Sequence, residues 1–333
     1  MGLARLALCF CYGRPSVSDT LPDLPAIMRA ICHQGQSQAE VETKRADCIR
    51  QRDIAAQFHY ETDRQASLWL NVHKRLACSK ELIRPYGETA EALASGWAYP
   101  DGALIALGCG GGEKEIGILR ALPKGTRFVP TDVSIHLALK TAQAALEVNP
   151  SWAVMPLVFD LALADNLLEF IDQHVGQNRV FTFFGIIPNF SPSLILPRLR
   201  ILLRPEDRLL LSANLAPNGM DPILPQYDND ITREWLAEFP MKHGAGQGDV
   251  KFTVESSGHL RRIVAHYHFS EPCVMEANGE FFEFQPGNSL RLFVSYRYTV
   301  ESLTDTLEQY GIAIEDAFLT SNGEEGVFIC SPQ

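Results

Sequence analysis

The spacing of apolar residues divides the chain into three stretches. From Leu24 to Phe58 the apolar positions Ile27, Ile31, Val41, Ile49 and Ile54 recur unevenly within polar text, which suits one or two amphipathic helices. Two more helical stretches follow at 63–78 and 79–97. Beyond them short apolar runs alternate with helical patterns. Strands are predicted at 103–107, 127–130, 153–159, 179–185 and 207–213, and helices at 113–122, 134–147, 162–175 and 192–203. Such alternation predicts a parallel sheet with helices on both faces. Between 216 and 287 the pattern changes to one helix, 227–239, and three alternating runs at 251–255, 261–268 and 280–284, which predict antiparallel strands. A strand at 289–298 then leads into a helix at 299–310, and strands at 312–320 and 326–330 close a hairpin through Asn322-Gly323.

This pattern predicts an α/β protein with a Rossmann-like sheet and a second α+β substrate or lid domain. Its divisions are an N-terminal helical segment at 1–62 joining the second domain, a cofactor domain at 63–214, an insertion at 215–288, and a return to the first domain at 289–333. The first 25 residues, rich in turn formers, read as an arm.

The chemistry centres on Ala103-Leu-Ile-Ala-Leu-Gly-Cys-Gly-Gly-Gly-Glu-Lys114, a strand, a glycine turn and a helix start. Glycine lets the backbone bend and approach a ligand closely, and the first N–H groups of the helix are free donors. A carboxylate, Asp132, stands about 24 residues past Gly108, where such folds hold a ribose hydroxyl. Right-handed crossovers bring Gly108, Asp132, Asp160 and the loop 185–190 to one sheet edge. The loop reads G-x-G-x-G, the S-adenosylmethionine pattern, and lacks the G-x-G-x-x-G spacing of nicotinamide enzymes. In Pro188-Asn189-Phe190, an amide carbonyl beside a ring is equipment for holding an amine hydrogen near a sulfonium methyl. Taken singly, Asp132 also suits a helix start, Asn189 a turn, and Tyr60, Tyr227 and Phe293 a core.

Composition narrows the classes. The chain has 333 residues, 46% of them apolar, and a net charge of −11, which argues against a nucleic-acid partner. Eight cysteines without CxxC spacing indicate neither a zinc site nor a disulfide framework and suit a cytoplasmic protein. His266 and His268 share a strand face but lack a third ligand, so no metal is expected. No apolar run is long enough for a membrane span, and the start lacks a signal-peptide pattern.

Several motifs in order resemble the histidine Nα-methyltransferase-like family, which includes the first enzyme of ergothioneine biosynthesis. They are Gly108-Cys-Gly-Gly-Gly-Glu-Lys114, Phe128-Val-Pro-Thr-Asp-Val-Ser134, Gly185-Ile-Ile-Pro-Asn-Phe190, Gln226-Tyr-Asp228, and Pro286-Gly287 leading to Ser295-Tyr-Arg-Tyr-Thr299. The resemblance covers roughly residues 55 to 332. It implies S-adenosylmethionine as cofactor, with Gly108, Gly110 and Lys114 at the methionine end, Asp132 at the ribose, and Asp160 with Leu161 at the adenine. It further implies that Asn189 accepts from the substrate amine, that Tyr60 and Tyr227 line the amino-acid head, and that Ser295 lies by the side chain.

The sequence departs from the family at the acceptor end. Phe293 replaces the glutamate that recognises an imidazole, Ala265 falls on or near a methionine position, and Leu76-Ala-Cys-Ser-Lys80 stands where the family has Tyr-Tyr-Pro-Thr-Arg. Ala106 replaces the acid that usually precedes the glycines. An imidazole N–H facing Phe293 would be unpaired, at a cost of about 1–3 kcal/mol. The expectation is therefore N-methylation of a small amine or amino acid with an aromatic or apolar side chain. O- or S-methylation, or a non-catalytic cofactor-binding member, are the alternatives. Tyr227 and Asp228 are the candidate general bases.

Overall fold

The computed structural model describes residues 28–77, 80–97 and 101–333, apart from the side chains of 74–82. The expected arm lies outside the described residues, as do Cys78 and Ser79 of the divergent motif. The chain begins with a short strand, β1 (Ile31–Cys32), and three helices, α1 (Gln38–Gln51), α2 (Asp63–Ala77) and α3 (Lys80–Gly96). The alternating series follows as β2 (Ala103–Leu107), α4 (Glu113–Ala121), β3 (Arg127–Asp132), α5 (Ile135–Val148), β4 (Leu157–Val158), α6 (Leu167–Asp172), β5 (Arg179–Phe184), α7 (Pro192–Leu202) and β6 (Arg208–Asn214). Next come α8 (Leu224–Tyr227), α9 (Asp230–Lys242), β7 (Gly248–Ser257), β8 (Leu260–Phe269), β9 (Cys273–Ala277), β10 (Glu280–Phe284) and β11 (Ser289–Arg297). The chain ends with α10 (Val300–Glu308), β12 (Ile312–Leu319) and β13 (Glu325–Pro332).

Eight strands form one sheet in the order β1-β4-β3-β2-β5-β6-β13-β12. Strands β1 to β6 run parallel, and the terminal hairpin joins antiparallel to β6. Every residue of β2 is buried because both faces are covered. The period of two sends Ile105, Phe181, Phe183 and Leu211 into one core, and Leu104, Ala106, Val180 and Leu210 into another beneath α3 and α4. The order reverses between β2 and β3 on one side and β5 on the other, so the crevice at their C-terminal ends is the natural ligand site.

A third core lies under the small sheet β11-β8-β7, where Ile49, Phe58, Trp235, Phe239, Ile263 and Leu292 pack together. Here the structure corrects the expected strand membership. β11 pairs with β8 in this small sheet, so the chain rejoins the large sheet only with its terminal hairpin, not at 289. β9 pairs with β10 as a separate ribbon, and its short, weakly alternating Cys-Val-Met-Glu-Ala text gave little strand signal. The helix expected at 162–175 shrinks to α6 because the Asp160 carboxylate accepts from the Ala162 and Leu163 N–H groups and folds the segment into a turn. Asn229 caps α9 by accepting from Thr232 N at 3.1 Å. No helix among the described residues is long and apolar enough to cross a membrane.

Candidate active site

The glycine turn packs tightly. Gly108, Gly110 and Gly112 all have positive φ (67°, 52° and 77°), which L side chains rarely adopt. A Cβ on Gly108 would stand 2.5 Å from Ile186, and one on Gly110 would stand 2.6 Å from the Trp69 ring. Asp132 is tied to this turn. One carboxylate oxygen accepts from Gly110 N (3.1 Å) and the other from Ser134 N (2.9 Å). Burial pushes its carboxyl up to about 6, against the opposing pull of those N–H groups. The ends of β2 and β3 thus place a glycine cradle and a carboxylate side by side, which fits the methionine end and ribose of S-adenosylmethionine.

A cleft of about 180 Å³ opens beside them. Lys114 lines it, and its Nζ donates to the Tyr86 hydroxyl (2.6 Å) and to Glu325 Oε1 (3.2 Å). Tyr86 donates to the same carboxylate. Much of the remaining wall is aromatic. Tyr60 meets Trp69 edge-on (5.7 Å) and Trp235 at a tilt (5.6 Å), and Phe293 packs on Tyr227 (5.7 Å) and Trp235 (6.1 Å). Burial, and the Asp132 charge secondarily, hold the Tyr60 phenol far above its ordinary value. Asn189 closes the one-turn helix 187–189 after β5 and lines the cleft with Pro188.

β11 supplies one wall. Phe293 and Ser295 line the cleft two residues apart, just past a bulge at Arg291/Phe293 that re-aims the strand. Ala265, fully buried, is the cross-strand neighbour of Phe293. Arg297, next in the same period, is buried and donates through Nη2 to the Tyr227 hydroxyl, with its guanidinium 5.0 Å from the ring centroid. The Tyr227 hydroxyl is also 3.2 Å from Ser295 Oγ. An arginine only donates, so Tyr227 accepts from it and turns its own proton toward Ser295.

Among the residues singled out from the sequence, the cleft therefore gathers Tyr60, Lys114, Asn189, Tyr227, Phe293 and Ser295. Gly108, Gly110 and Asp132 lie along its sheet edge. Asp160 stands apart at the end of β4, with its carboxylate 3.8 Å from Lys44 Nζ, and Leu161 is buried in the core under the sheet. Asp228 pairs with Arg233 at 2.5 Å and does not line the cleft, which removes it as a candidate base. Sequence reasoning missed Trp69, Tyr86, Trp235, Arg297 and Glu325. Their helix and strand contexts look like ordinary core or surface; only the folded chain brings Trp69, Trp235 and Glu325 to the cleft and sets Tyr86 and Arg297 against Lys114 and Tyr227, which line it.

The described cysteines are free, and among the described residues no group of His, Cys, Asp and Glu is placed to hold a metal ion. A search of curated proteins finds no match. Among solved structures, a S-adenosylmethionine-dependent methyltransferase from Clostridium acetobutylicum is 8% identical, with 80% of this chain and 98% of that chain covered and a TM-score of 0.45. The 1,6-didemethyltoxoflavin-N1-methyltransferase of Burkholderia thailandensis is 12% identical, with coverage of 84% and 92% and a TM-score of 0.43. An amino pentose methyltransferase from Micromonospora echinaspora is 12% identical, with coverage of 80% and 97% and a TM-score of 0.42. Residues 86–332 match the family described as "Histidine-specific methyltransferase, SAM-dependent". That match spans most of the chain: the chain belongs to these methyltransferases, and it is an enzyme that takes its methyl group from S-adenosylmethionine.

Proposed function

We propose that the protein methylates the amino nitrogen of a small amine or amino acid whose side chain is aromatic or apolar. The observation that carries this reading is the Phe293 ring, set in a wall with Tyr227 and Trp235 at the acceptor end of the cleft. Among the described residues the one acid lining the cleft, Glu325, is engaged with Lys114. An imidazole N–H at Phe293 would find no carboxylate, whereas a flat apolar ring would stack among its own kind.

Bound S-adenosylmethionine supplies a methyl carbon activated by its sulfonium. Lys114, Gly108, Gly110 and Asp132 hold that group along the sheet edge, and Asn189 orients the acceptor. The Asn189 side chain makes no hydrogen bond among the described residues and lines the cleft, so its carbonyl is available to accept an amine N–H. With the cofactor bound, its methyl would pass to the amine nitrogen as the C–S bond breaks, leaving S-adenosylhomocysteine, and the proton of the methylated nitrogen would pass to solvent. The aromatic walls exclude water and favour the neutral, nucleophilic amine. The Tyr227 hydroxyl is held between Arg297 and Ser295, and its ring forms part of the wall. Cytoplasmic reaction with a soluble amine accords with the reduced thiols.

The test is methyl transfer from S-adenosylmethionine to a panel of amines, with tryptophan derivatives set against histidine and against matched hydroxyl and thiol acceptors. Aromatic amines are expected to react best. Faster turnover of histidine, or methylation confined to oxygen or sulfur, would overturn the reading.

A further inference from the structure

The strand edges of this molecule are not treated alike. In the large sheet, β1 is two residues long, and β12 is bulged between Ile314 and Asp316 with Glu315 at the bulge. The open side of β11 is met by the N-terminal segment, where Arg291 N donates to Arg52 O and Ile54 N to Arg291 O. The outer side of β9 is met by the end of α9, where Glu276 N donates to His243 O. Shortness, bulges, acids and covering segments are the usual means by which a sheet edge is kept from joining another. β7 is neither short nor bulged nor covered. It runs for ten residues without proline and pairs with β8 in unbroken register from Gly248 to Ser257. On its other side no strand of the described residues joins it.

The phase of the ladder fixes which groups are left over. Ser270 N donates to Gln247 O, whereas Phe269 makes its backbone bonds on the β11 side, to Asn288 O and from Gly287 N. Bonded pairs alternate along an antiparallel ladder, so Asp249 and Lys251 turn their backbone groups toward β8, and Gly248, Val250 and Phe252 turn theirs outward. The side chains alternate as well. Val250 and Phe252 are buried in the core beneath the sheet, while Asp249 and Lys251 are exposed and have no ion-pair partner among the described residues.

We propose that this edge pairs, antiparallel, with the same edge of a second copy of the chain, about a two-fold axis at Val250. Val250 exchanges both backbone bonds with Val250 of the second copy. Asp249 then faces Lys251 of the second copy, and Lys251 faces its Asp249, in the non-hydrogen-bonded positions where cross-strand side chains come closest. A two-fold contact demands a self-complementary patch, and Asp249-Val250-Lys251 is one. Phe252, Ala265 and Phe293 stand in register across the small sheet, so the pairing extends the same sheet that carries the acceptor wall.

The experiment is sedimentation velocity of the full chain over ~1–100 μM for wild type, Asp249→Lys and Lys251→Asp. Wild type is expected to form a concentration-dependent dimer. Either substitution sets two like-charged pairs across the axis and is expected to weaken the dimer about ten-fold or more. Mixing the two variants restores opposite charges at both pairs, so a heterodimer is expected where neither variant associates with itself. Both side chains are exposed, and each variant is expected to melt with wild type. A wild type that stays monomeric over the whole range would overturn the proposal. So would a dimer that neither substitution weakens, or weakened variants that mixing fails to restore.

Discussion

On the side of the cleft proposed for the cofactor, Gly108, Gly110, Lys114 and Asp132 come from two adjacent strand ends and the first turn of α4, between positions 108 and 132. On the side proposed for the acceptor, Tyr60, Trp69, Trp235 and Phe293 come from four separate segments between positions 60 and 293. The first side is built largely from backbone: positive-φ glycines and N–H groups around one buried carboxylate. The second is built from side chains that touch only through their rings. The difference teaches that cofactor affinity and acceptor choice have separate physical origins in this molecule and should respond separately to substitution.

The largest effect is expected at Asp132. Asp132→Ala removes the carboxylate proposed to hold the ribose and should weaken S-adenosylhomocysteine at least about a hundred-fold by titration, leaving the aromatic wall unchanged. The same contact carries a pH dependence. With its carboxyl near 6, Asp132 becomes neutral below that pH, so wild-type affinity should fall as pH drops through about 6, and Asp132→Asn should lose that dependence. Equal affinity at pH 5 and pH 8 would contradict it.

Next is Asn189→Ala, expected to lower kcat about a hundred-fold with cofactor affinity unchanged, because it misplaces the acceptor alone. A matching loss of S-adenosylhomocysteine binding would break the separation of the two sides. Phe293→Glu should shift the ratio of kcat/KM for histidine over an aromatic amine upward by roughly ten-fold or more, as a carboxylate meets the imidazole N–H. Arg297→Met frees the Tyr227 hydroxyl and should raise KM for the acceptor several-fold, on the order of one lost hydrogen bond, with little change in kcat. A drop in kcat at constant KM would instead give Arg297 a part in the transition state.

The smallest expected effect concerns stability. Glu115 is buried in the first turn of α4, and burial pushes its carboxyl up to about 7. Its folded value exceeds its unfolded one, so its contribution is fully present below about 4.5 and is lost as pH rises through about 7. Glu115→Gln should therefore stabilise the fold over wild type at pH 8 but not at pH 4, by an amount on the order of 1–3 kcal/mol read from denaturant unfolding. Equal shifts at both values would show that the charge is relieved elsewhere.

The β/α series was legible because each strand carries its own signal: a run buried on both faces is apolar at every position, as in β2. Gly108 and Asp132 were legible for the same reason, since the turn and the carboxylate each sit at a strand end that the local pattern locates. Other features follow from pairing rather than pattern. β1 is two residues long and takes its place only by hydrogen bonding to β4, and β11 reads as a strand whichever sheet it joins. Asp160 was correctly placed at a strand end, but its capping of 162–163, which shortens α6, depends on backbone geometry that spacing does not express.

By itself, the sequence determined the doubly covered sheet, the glycine turn, Asp132 and the loss of a carboxylate at Phe293, because each is a local choice of residue against a local backbone requirement. The tertiary structure alone decided that Trp69 and Trp235 stand beside Phe293, that Arg297 occupies Tyr227, and that β7 stands at the edge of its sheet. Those contacts join segments far apart in the chain, and ring packing or an edge position leaves no periodic trace in the sequence.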